Sequence, residues 1–142
     1  MSESRLGPNR STFAGSDPVA GAEVNEVVPA TQDWDFLGLI VTLVADATAI
    51  SRDVDIVVED EAGNEVARWP FNTSITASQT VAIHIGNYPE TLPTDTATDQ
   101  YHTIPRTLME LGPSYVIKTV SANLQAGDNF GIPQIFRRLF VA

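Results

Sequence analysis

Short segments in which apolar and polar residues alternate follow one another from Phe36 to Ala142, and turn residues separate them. The strongest segment is residues 36–45 (FLGLIVTLVA), which predicts a β-strand with two apolar faces. The residues at 37, 39, 41, 43 and 45 share one face, while Phe36, Ile40 and Val44 share the other. Because one face of an antiparallel sheet usually meets solvent, the second apolar face predicts a cover. The N-terminal residues, another copy of the chain or a long loop would each provide it.

The rest of this region predicts a sandwich of short strands. Similar runs predict strands at residues 52–59, 65–69, 78–85, 107–111, 115–120 and 131–141. Residues 60–64 (DEAGN) predict a hairpin turn, since Gly63 and Asn64 tolerate positive φ, and residues 112–114 (GPS) give a second hairpin signal. Helical periodicity is weak, and only residues 104–111 would fit a short helix. About seven or eight strands at this spacing predict an all-β fold, an antiparallel, jelly-roll-like β-sandwich.

Residues 1–31 differ from the rest, because Ser, Gly, Pro, Asn and Glu dominate and the apolar clusters are short. Alone, such a segment buries too little apolar area to offset its ordering entropy. We therefore expect an extended N-terminal arm over residues 1–31, lying on its own or a neighbouring subunit, and a β-sandwich domain over residues 32–142. A simple tail is the alternative. The arm hypothesis predicts that a chain lacking residues 1–30 folds but no longer assembles.

The net charge of the chain limits which classes of partner it could bind. The chain has 18 acidic and 8 basic residues, for a net charge of −10, and Lys118 is its single lysine. Binding to duplex DNA needs clustered cations that release counterions from phosphate, so we expect no direct nucleic-acid partner. Anionic membrane is disfavoured for the same reason. The acid excess fits either general solubility or adaptation to high salt, and scarce lysine beside abundant acids and threonine is typical of halophilic proteins.

Length and cysteine content set further bounds. At 142 residues the chain is of single-domain size, and without cysteine it has no disulfides or thiolate metal sites. The first ten residues show no apolar signal region, and the apolar stretch at 37–45 is too short to span a bilayer. We therefore expect a soluble chain with no membrane contact.

Four aspartates come in pairs that could be compared with hydrolase carboxylates: Asp53 with Asp55, and Asp33 with Asp35 on either side of Trp34. Glycoside hydrolysis needs two carboxylates across a cleft, in environments that push their pKa values apart. Acids on one exposed strand face more often prevent edge-to-edge pairing of sheets. No Gly-x-Ser-x-Gly elbow, phosphate loop or dinucleotide fingerprint is present. The sequence predicts no enzyme and no catalytic residue.

Candidate ligand-binding residues are equally sparse. The acids at residues 59–61 with Glu65 would suit a hard cation such as calcium, but their spacing favours a solvated hairpin tip. His84 and His102 have no partner at metal-ligand spacing. Trp34 and Trp69 would stack on carbohydrate if exposed, and buried sandwich anchors explain them more simply. We therefore expect no metal site and no cofactor.

Five segments occur in a fixed order: residues 39–58 (LIVTLVADATAISRDVDIVV), 63–68 (GNEVAR), 77–80 (ASQT), 111–119 (LGPSYVIKT) and 124–128 (LQAGD). Each alone is a strand with its turn. In this order they resemble small jelly-roll virion proteins of tailed viruses, encoded near the capsid and portal genes. The resemblance covers roughly residues 34–140 and leaves the N-terminal arm outside.

The resemblance implies a structural role on the virion, either decorating the capsid as a turret or spike or attaching at the head–neck region. The partners it implies are the chain itself, as a trimer or pentamer, and the major capsid protein or other virion proteins. Members of the family are expected to end in polar or acidic residues, whereas residues 137–142 (RRLFVA) indicate an interface or a last core strand. The alternatives are a neck, portal-associated or tail component and, from another class, a glycan-binding β-sandwich module.

Overall fold

A computed structural model describes residues 10–71, 74–86, 99–102 and 109–141, with the backbone alone at residues 10 and 99–102. The strands are β1 (Arg10–Ala14), β2 (Asn25–Val27), β3 (Gln32–Val44), β4 (Asp53–Glu59), β5 (Glu65–Pro70), β6 (Thr80–Gly86), β7 (Asp99–His102), β8 (Met109–Leu111), β9 (Val116–Ala122), β10 (Asn129–Phe130) and β11 (Gln134–Val141). The described part of the chain contains no helix that is long and apolar enough to cross a membrane.

The strands form two sheets. In sheet A the order is β1-β11-β3-β6-β7, and β8 and β10 also pair with β3; in sheet B the order is β2-β9-β4-β5. Strand β3 is the spine of sheet A because its 13 residues pair with β10 and β11 along one edge and with β6 and β8 along the other. All pairs are antiparallel except β6 with β7, which are parallel.

The strand order is that of a jelly roll. Four antiparallel pairs nest inside one another along the chain: β1 with β11, β2 with β9, β3 with β6, and β4 with β5. Successive pairs alternate between sheets A and B, as when one long β-ribbon is rolled up. The pairing of β11 with β3 and of β9 with β4 then completes the two sheets. The predicted all-β, jelly-roll-like sandwich is confirmed.

Two strands of this sandwich precede residue 32, where the sequence placed the domain boundary. The described part of the predicted arm contributes β1 to sheet A and β2 to sheet B. Its few apolar residues reach the core: Val24 and Val28 are buried, and the ring of Phe13 lies 5.3 Å from that of Trp34. Short edge strands need only alternate apolar residues, so a polar composition was compatible with a place in the sheets. The arm's first nine residues lie outside the described part of the chain.

A bulge in β3 changes which of its faces is buried. Gly38 pairs with Phe136 and Phe36 pairs with Arg137, so Leu37 has no partner in β11. Phe36 therefore points into the core, where its ring lies 6.0 Å from that of Trp69 in sheet B. The prediction that Phe36 shares a face with Ile40 and Val44 was wrong, because a strict two-residue alternation does not allow for the extra residue. Beyond the bulge, Leu39, Val41 and Leu43 share one face as predicted, and that face is buried.

The turns agree in part with the sequence. Residues 60–64 do join β4 to β5 as a hairpin, and Gly63 takes a φ of 86°. Residues 112–114 connect β8 in sheet A to β9 in sheet B, so the predicted second hairpin is a crossover between sheets. The C-terminal part of the predicted short helix at 104–111 is strand β8, since Met109 pairs with Phe36; residues 103–108 lie outside the described residues.

Candidate functional site

The outer face of sheet B is charged, and four of its charged residues form ion pairs with described neighbours. Asp55 and Glu59 of β4, Arg68 of β5 and Lys118 of β9 alternate with buried residues and so point outward. Arg68 pairs with Asp55 and, at 2.8 Å, with Glu65, while Lys118 lies 2.7 Å from Glu59. The hydrogen bond from Arg68 lowers the pKa of Glu65 and raises that of Arg68 itself. Exposed pairs of this kind add little stability, and they make this face a hydrated surface.

The outer face of sheet A contains a region without charged residues. The register places seven uncharged residues together on this side, none of them Asp, Glu, Lys or Arg: Ile40, Thr42, Val44, Thr80, Ala82, His84 and Gln134. We call these residues the uncharged patch. Val44 is 46% exposed within it. Toward the start of β3 the same sheet face is charged, since Asp35 lies 3.5 Å from Arg138. The two sheets therefore present surfaces of different chemistry.

The paired aspartates do not assemble a catalytic site. Asp53 accepts a hydrogen bond from the Ser74 hydroxyl at 2.8 Å, and Asp55 is bound to Arg68 on an open sheet face. Asp35 is nearly buried beside Arg138, and Asp33 is exposed. Among the described residues, no group of three or more histidine or acidic side chains is placed to hold a metal ion.

The acids of the β4–β5 hairpin are engaged individually. The Asp60 carboxylate accepts hydrogen bonds from the backbone N–H groups of Asn64 and Ala62, both at 2.9 Å, and these bonds lower its pKa. Glu59 is bound to Lys118 and Glu65 to Arg68. Glu61 is exposed and has no partner among the described residues. The hairpin is thus an acidic tip in which Asp60, Glu59 and Glu65 each have a separate partner within the chain.

Both tryptophans are core residues. Trp34 is 1% exposed and Trp69 is 7% exposed, so neither presents a ring face to a sugar. Their predicted role as sandwich anchors is confirmed. His84 lies half-buried on the outer side of β6, and His102 belongs to β7, where only the backbone is described.

One end of the sandwich is held by a buried arginine that the sequence did not single out. The Arg52 side chain is fully buried, and Nε and Nη2 donate to the Asp128 carboxylate at 2.9 and 3.0 Å. Nη2 also donates to Asp46 at 2.7 Å. Nη1 donates to the carbonyl oxygens of Thr48 and Ile50 at 3.1 and 2.7 Å. All five guanidinium N–H donors are therefore satisfied.

Asp128 is the acceptor at the centre of this network, which we call the Arg52 cluster (Arg52, Asp46 and Asp128). Its carboxylate also accepts from the backbone N–H groups of Gln125 and Asp46, at 2.7 and 2.8 Å. Burial alone would raise the pKa of Asp128, but the hydrogen bond from Arg52 and the two backbone bonds outweigh burial and lower it. The bond to Asp128 likewise raises the pKa of Arg52. The cluster ties the β3–β4 connection to the β9–β10 turn.

A shallow pocket of about 350 Å³ lies at the same end, lined by Ala49, Ile50, Ser51, Thr76 and Ala77. Its lining offers hydroxyl and methyl groups and carries no charge. It brings together none of the candidate residues named from the sequence, and its walls supply neither a nucleophile with a base nor a metal ligand set.

A second arginine that the sequence analysis did not identify as functional lies where β1, β3 and β11 meet. The guanidinium carbon of Arg137 lies 4.6 Å from the centre of the Phe13 ring and 4.5 Å from that of Trp34. Its hydrogen bonds are long, 3.4 Å from Nε to Ser11 Oγ and 3.4 Å from Nη1 to Gln32 Oε1. Burial lowers the pKa of Arg137, and no carboxylate within the described residues forms an ion pair with it. We call Arg137, Phe13 and Trp34 the Arg137 site.

Neither arginine could be found from local sequence. Arg52 and Asp128 are 76 positions apart, and Arg137 and Ser11 are 126 apart. The only local signal was that residues 137–142 are basic and apolar where the family pattern expects polar residues.

No family model matches the chain, and no curated protein matches it. Among solved structures, the chain is similar to capsid particles of infectious bursal disease virus. The T13 viral particle aligns at 13% identity with a TM-score of 0.44, and the VP2 subviral particle aligns at 12% identity with a TM-score of 0.38. These alignments cover 90% and 89% of this chain but only 30% and 29% of the capsid chains. At such TM-scores the fold assignment depends on the strand order of this chain itself.

Proposed function

We propose that this chain is a structural protein of a virion, a jelly-roll subunit that acts by packing against copies of itself and other virion proteins. The observation that carries the proposal is the difference between its outer faces. Sheet B presents paired charges, whereas sheet A presents the uncharged patch. Depletion of charge is the compositional mark of the centre of a protein interface.

The sequence resemblance supports the same proposal. Two of the segments that carry it, residues 39–58 and 124–128, lie far apart in the chain and meet at the Arg52 cluster. A third, residues 63–68, is the outer part of the β4–β5 hairpin. The resemblance thus involves residues that build one end of the folded sandwich.

The finer role we propose is decoration of the capsid of a tailed virus, as a turret or spike that assembles as a trimer or pentamer. The uncharged patch packs on a neighbouring subunit, in an interface of the standard size of about 1,600 Å². The charged face of sheet B then faces solvent, where a net charge of −10 discourages contact with nucleic acid. In a virus of a halophilic host, high salt screens the repulsion among acidic copies. A neck, portal-associated or tail position is the alternative within the same class.

The proposal assigns no reaction to the chain. Among the described residues no group of three or more histidine or acidic side chains could hold a metal ion, and the shallow pocket has no charged lining. A glycan-binding module is the weaker candidate, since it needs exposed aromatic rings and both tryptophans are buried.

Labelling of virus particles tests the proposal. Antibodies against the purified protein should decorate intact particles of the tailed virus whose genome encodes it, seen by immunogold electron microscopy at the capsid or neck. Pre-immune serum is the control. Particles that carry no gold, and that lack the protein after disruption and mass spectrometry, would overturn the proposed function. Light scattering of the free protein in low and molar salt measures the oligomer directly.

A further inference from the structure

Arg137 differs from the other described cations in lacking an acidic partner. Arg52, Arg68 and Lys118 each lie within 3 Å of a carboxylate oxygen, and Arg138 lies 3.5 Å from Asp35. In a chain with a net charge of −10, an arginine without a carboxylate is the exception among the described residues.

The geometry of Arg137 suits a bidentate ligand. A guanidinium has five N–H donors, and Arg137 uses two of them in bonds of 3.4 Å, well beyond the usual 2.9 Å or so. The rings of Phe13 and Trp34, 4.6 and 4.5 Å away, hold the guanidinium in place. A planar fork that is already positioned, half-buried and left with unused donors matches the two oxygens of a carboxylate.

A carboxylate that could bind this guanidinium lies on the β4–β5 hairpin. Its turn is rigid because Asp60 accepts hydrogen bonds from Ala62 and Asn64, and a side chain built at Gly63 would meet nothing within 4 Å. The tip therefore projects from the sandwich. Glu59 and Glu65 are held by Lys118 and Arg68, which leaves Glu61 as the acid at this tip without a partner among the described residues.

We propose that Arg137 of one copy binds the Glu61 carboxylate of a neighbouring copy. This inference rests on the proposed function, because it names the partner of a self-assembling virion subunit. The two residues lie on different patches, β11 and the β4–β5 turn, so the contact is heterologous. A heterologous contact generates a ring when its rotation closes, as in the proposed trimer or pentamer, and an open filament when it does not.

A charge-reversal cycle tests the contact. Self-association of the wild-type chain, Arg137→Glu, Glu61→Arg and the double variant is measured by sedimentation equilibrium at about 0.15 M salt, where charged pairs closer than the Debye length still interact. Each single reversal should weaken association at least about tenfold, since close charge pairs at interfaces couple strongly. The double variant should regain most of this loss. Asp17→Arg, a reversal of an exposed acid in the β1–β2 connection, is the control for Glu61→Arg because both change the net charge by +2.

The outcomes separate this contact from the wider proposal. Because Arg137 covers Trp34, Arg137→Glu could unfold, so thermal unfolding is measured in parallel; Glu61→Arg lies in an exposed turn and keeps the test decisive. Single variants that associate like the wild type would overturn the inference, as would a double variant that regains nothing. A wild-type chain that stays monomeric would also overturn it, while immunogold labelling would decide the proposed function independently.

Discussion

Replacing Arg52 with methionine should destabilise the fold strongly. Methionine fills a similar volume but removes five hydrogen bonds and leaves Asp128, whose side chain is fully buried, without its counter-charge. Breaking one partner of a buried ion pair costs about 3–5 kcal/mol. Asp128→Asn should cost a similar amount, because the amide group places donors opposite the donors of Arg52 and Gln125. Both losses are large against the total stability of a small domain.

The double variant, Arg52→Met with Asp128→Leu, tests the ion pair more sharply than either single variant. Replacing a whole buried pair with apolar residues is often close to neutral, so the double variant should lose far less than the two single losses added together. Urea unfolding followed by tryptophan fluorescence measures each free energy, with an unchanged dependence on denaturant as the check on two-state behaviour. Arg68→Met is the matched control, and its loss should be much smaller because that arginine pairs with Asp55 and Glu65 on the surface.

Lowering the pH should reduce the difference in free energy of unfolding between the wild type and Arg52→Met. In the wild type the pKa of Asp128 is lowered in the folded state, so its carboxylate stabilises the fold above the unfolded pKa of about 3.9. That contribution is lost as the pH falls through the folded-state pKa. Removing Arg52 raises the pKa of Asp128, so the variant takes up a proton at higher pH and loses less on acidification. Single variants that cost under about 1 kcal/mol, additive losses or a deficit independent of pH would refute the role given to the Arg52 cluster.

Three further predictions concern stability, and circular dichroism melts check each of them. A chain lacking residues 1–30 should fail to fold because it loses β1 and β2, which reverses the expectation from sequence; a folded truncation would contradict the jelly-roll assignment of these strands. Thr119→Val should lower the free energy of unfolding by about 1–3 kcal/mol, since the Thr119 hydroxyl accepts a hydrogen bond from the buried Val24 N–H at 2.8 Å. An unchanged melting temperature would contradict this prediction. Gly127→Ala should destabilise by about 1–3 kcal/mol because its Cβ would lie 2.7 Å from Asp46 Oδ2, and Arg52 binds Asp46; an unchanged melting temperature would contradict this prediction.

Sequence reasoning recovered what depends on local pattern. The alternation in residues 52–59 matches β4, whose Val54, Ile56 and Val58 are buried, and the acidic glycine-containing turn that follows is a hairpin. The size of the tryptophans placed them in the core correctly. Each of these features is decided by neighbours within a few residues.

The remaining features depend on which distant strands pair. Gly38 inside β3 is a local signal for a bulge, but the pairing with β11 decides that Leu37 is the residue without a partner. The N-terminal residues looked like an arm because their strands are short and polar at the edge, yet Phe13 and Val24 are completed by residues far along the chain. The Arg52 cluster and the Arg137 site likewise form only when distant segments meet, Arg52 with Asp128 and Arg137 with Phe13.

The nested order of strand pairs also dictates when the molecule becomes complete during its synthesis. The innermost pair, β4 with β5, needs only the turn at residues 60–64, whereas Arg10 must wait for Arg138 to pair with it. Closing so long a loop is slow, because the chain loses conformational entropy before the contacts between β1 and β11 can form. Strand β1 therefore stays without its partner until β11 has been synthesised. Because Arg137 belongs to β11, a nascent chain contains the β4–β5 turn before it contains this arginine, so two incomplete chains cannot form the contact proposed above.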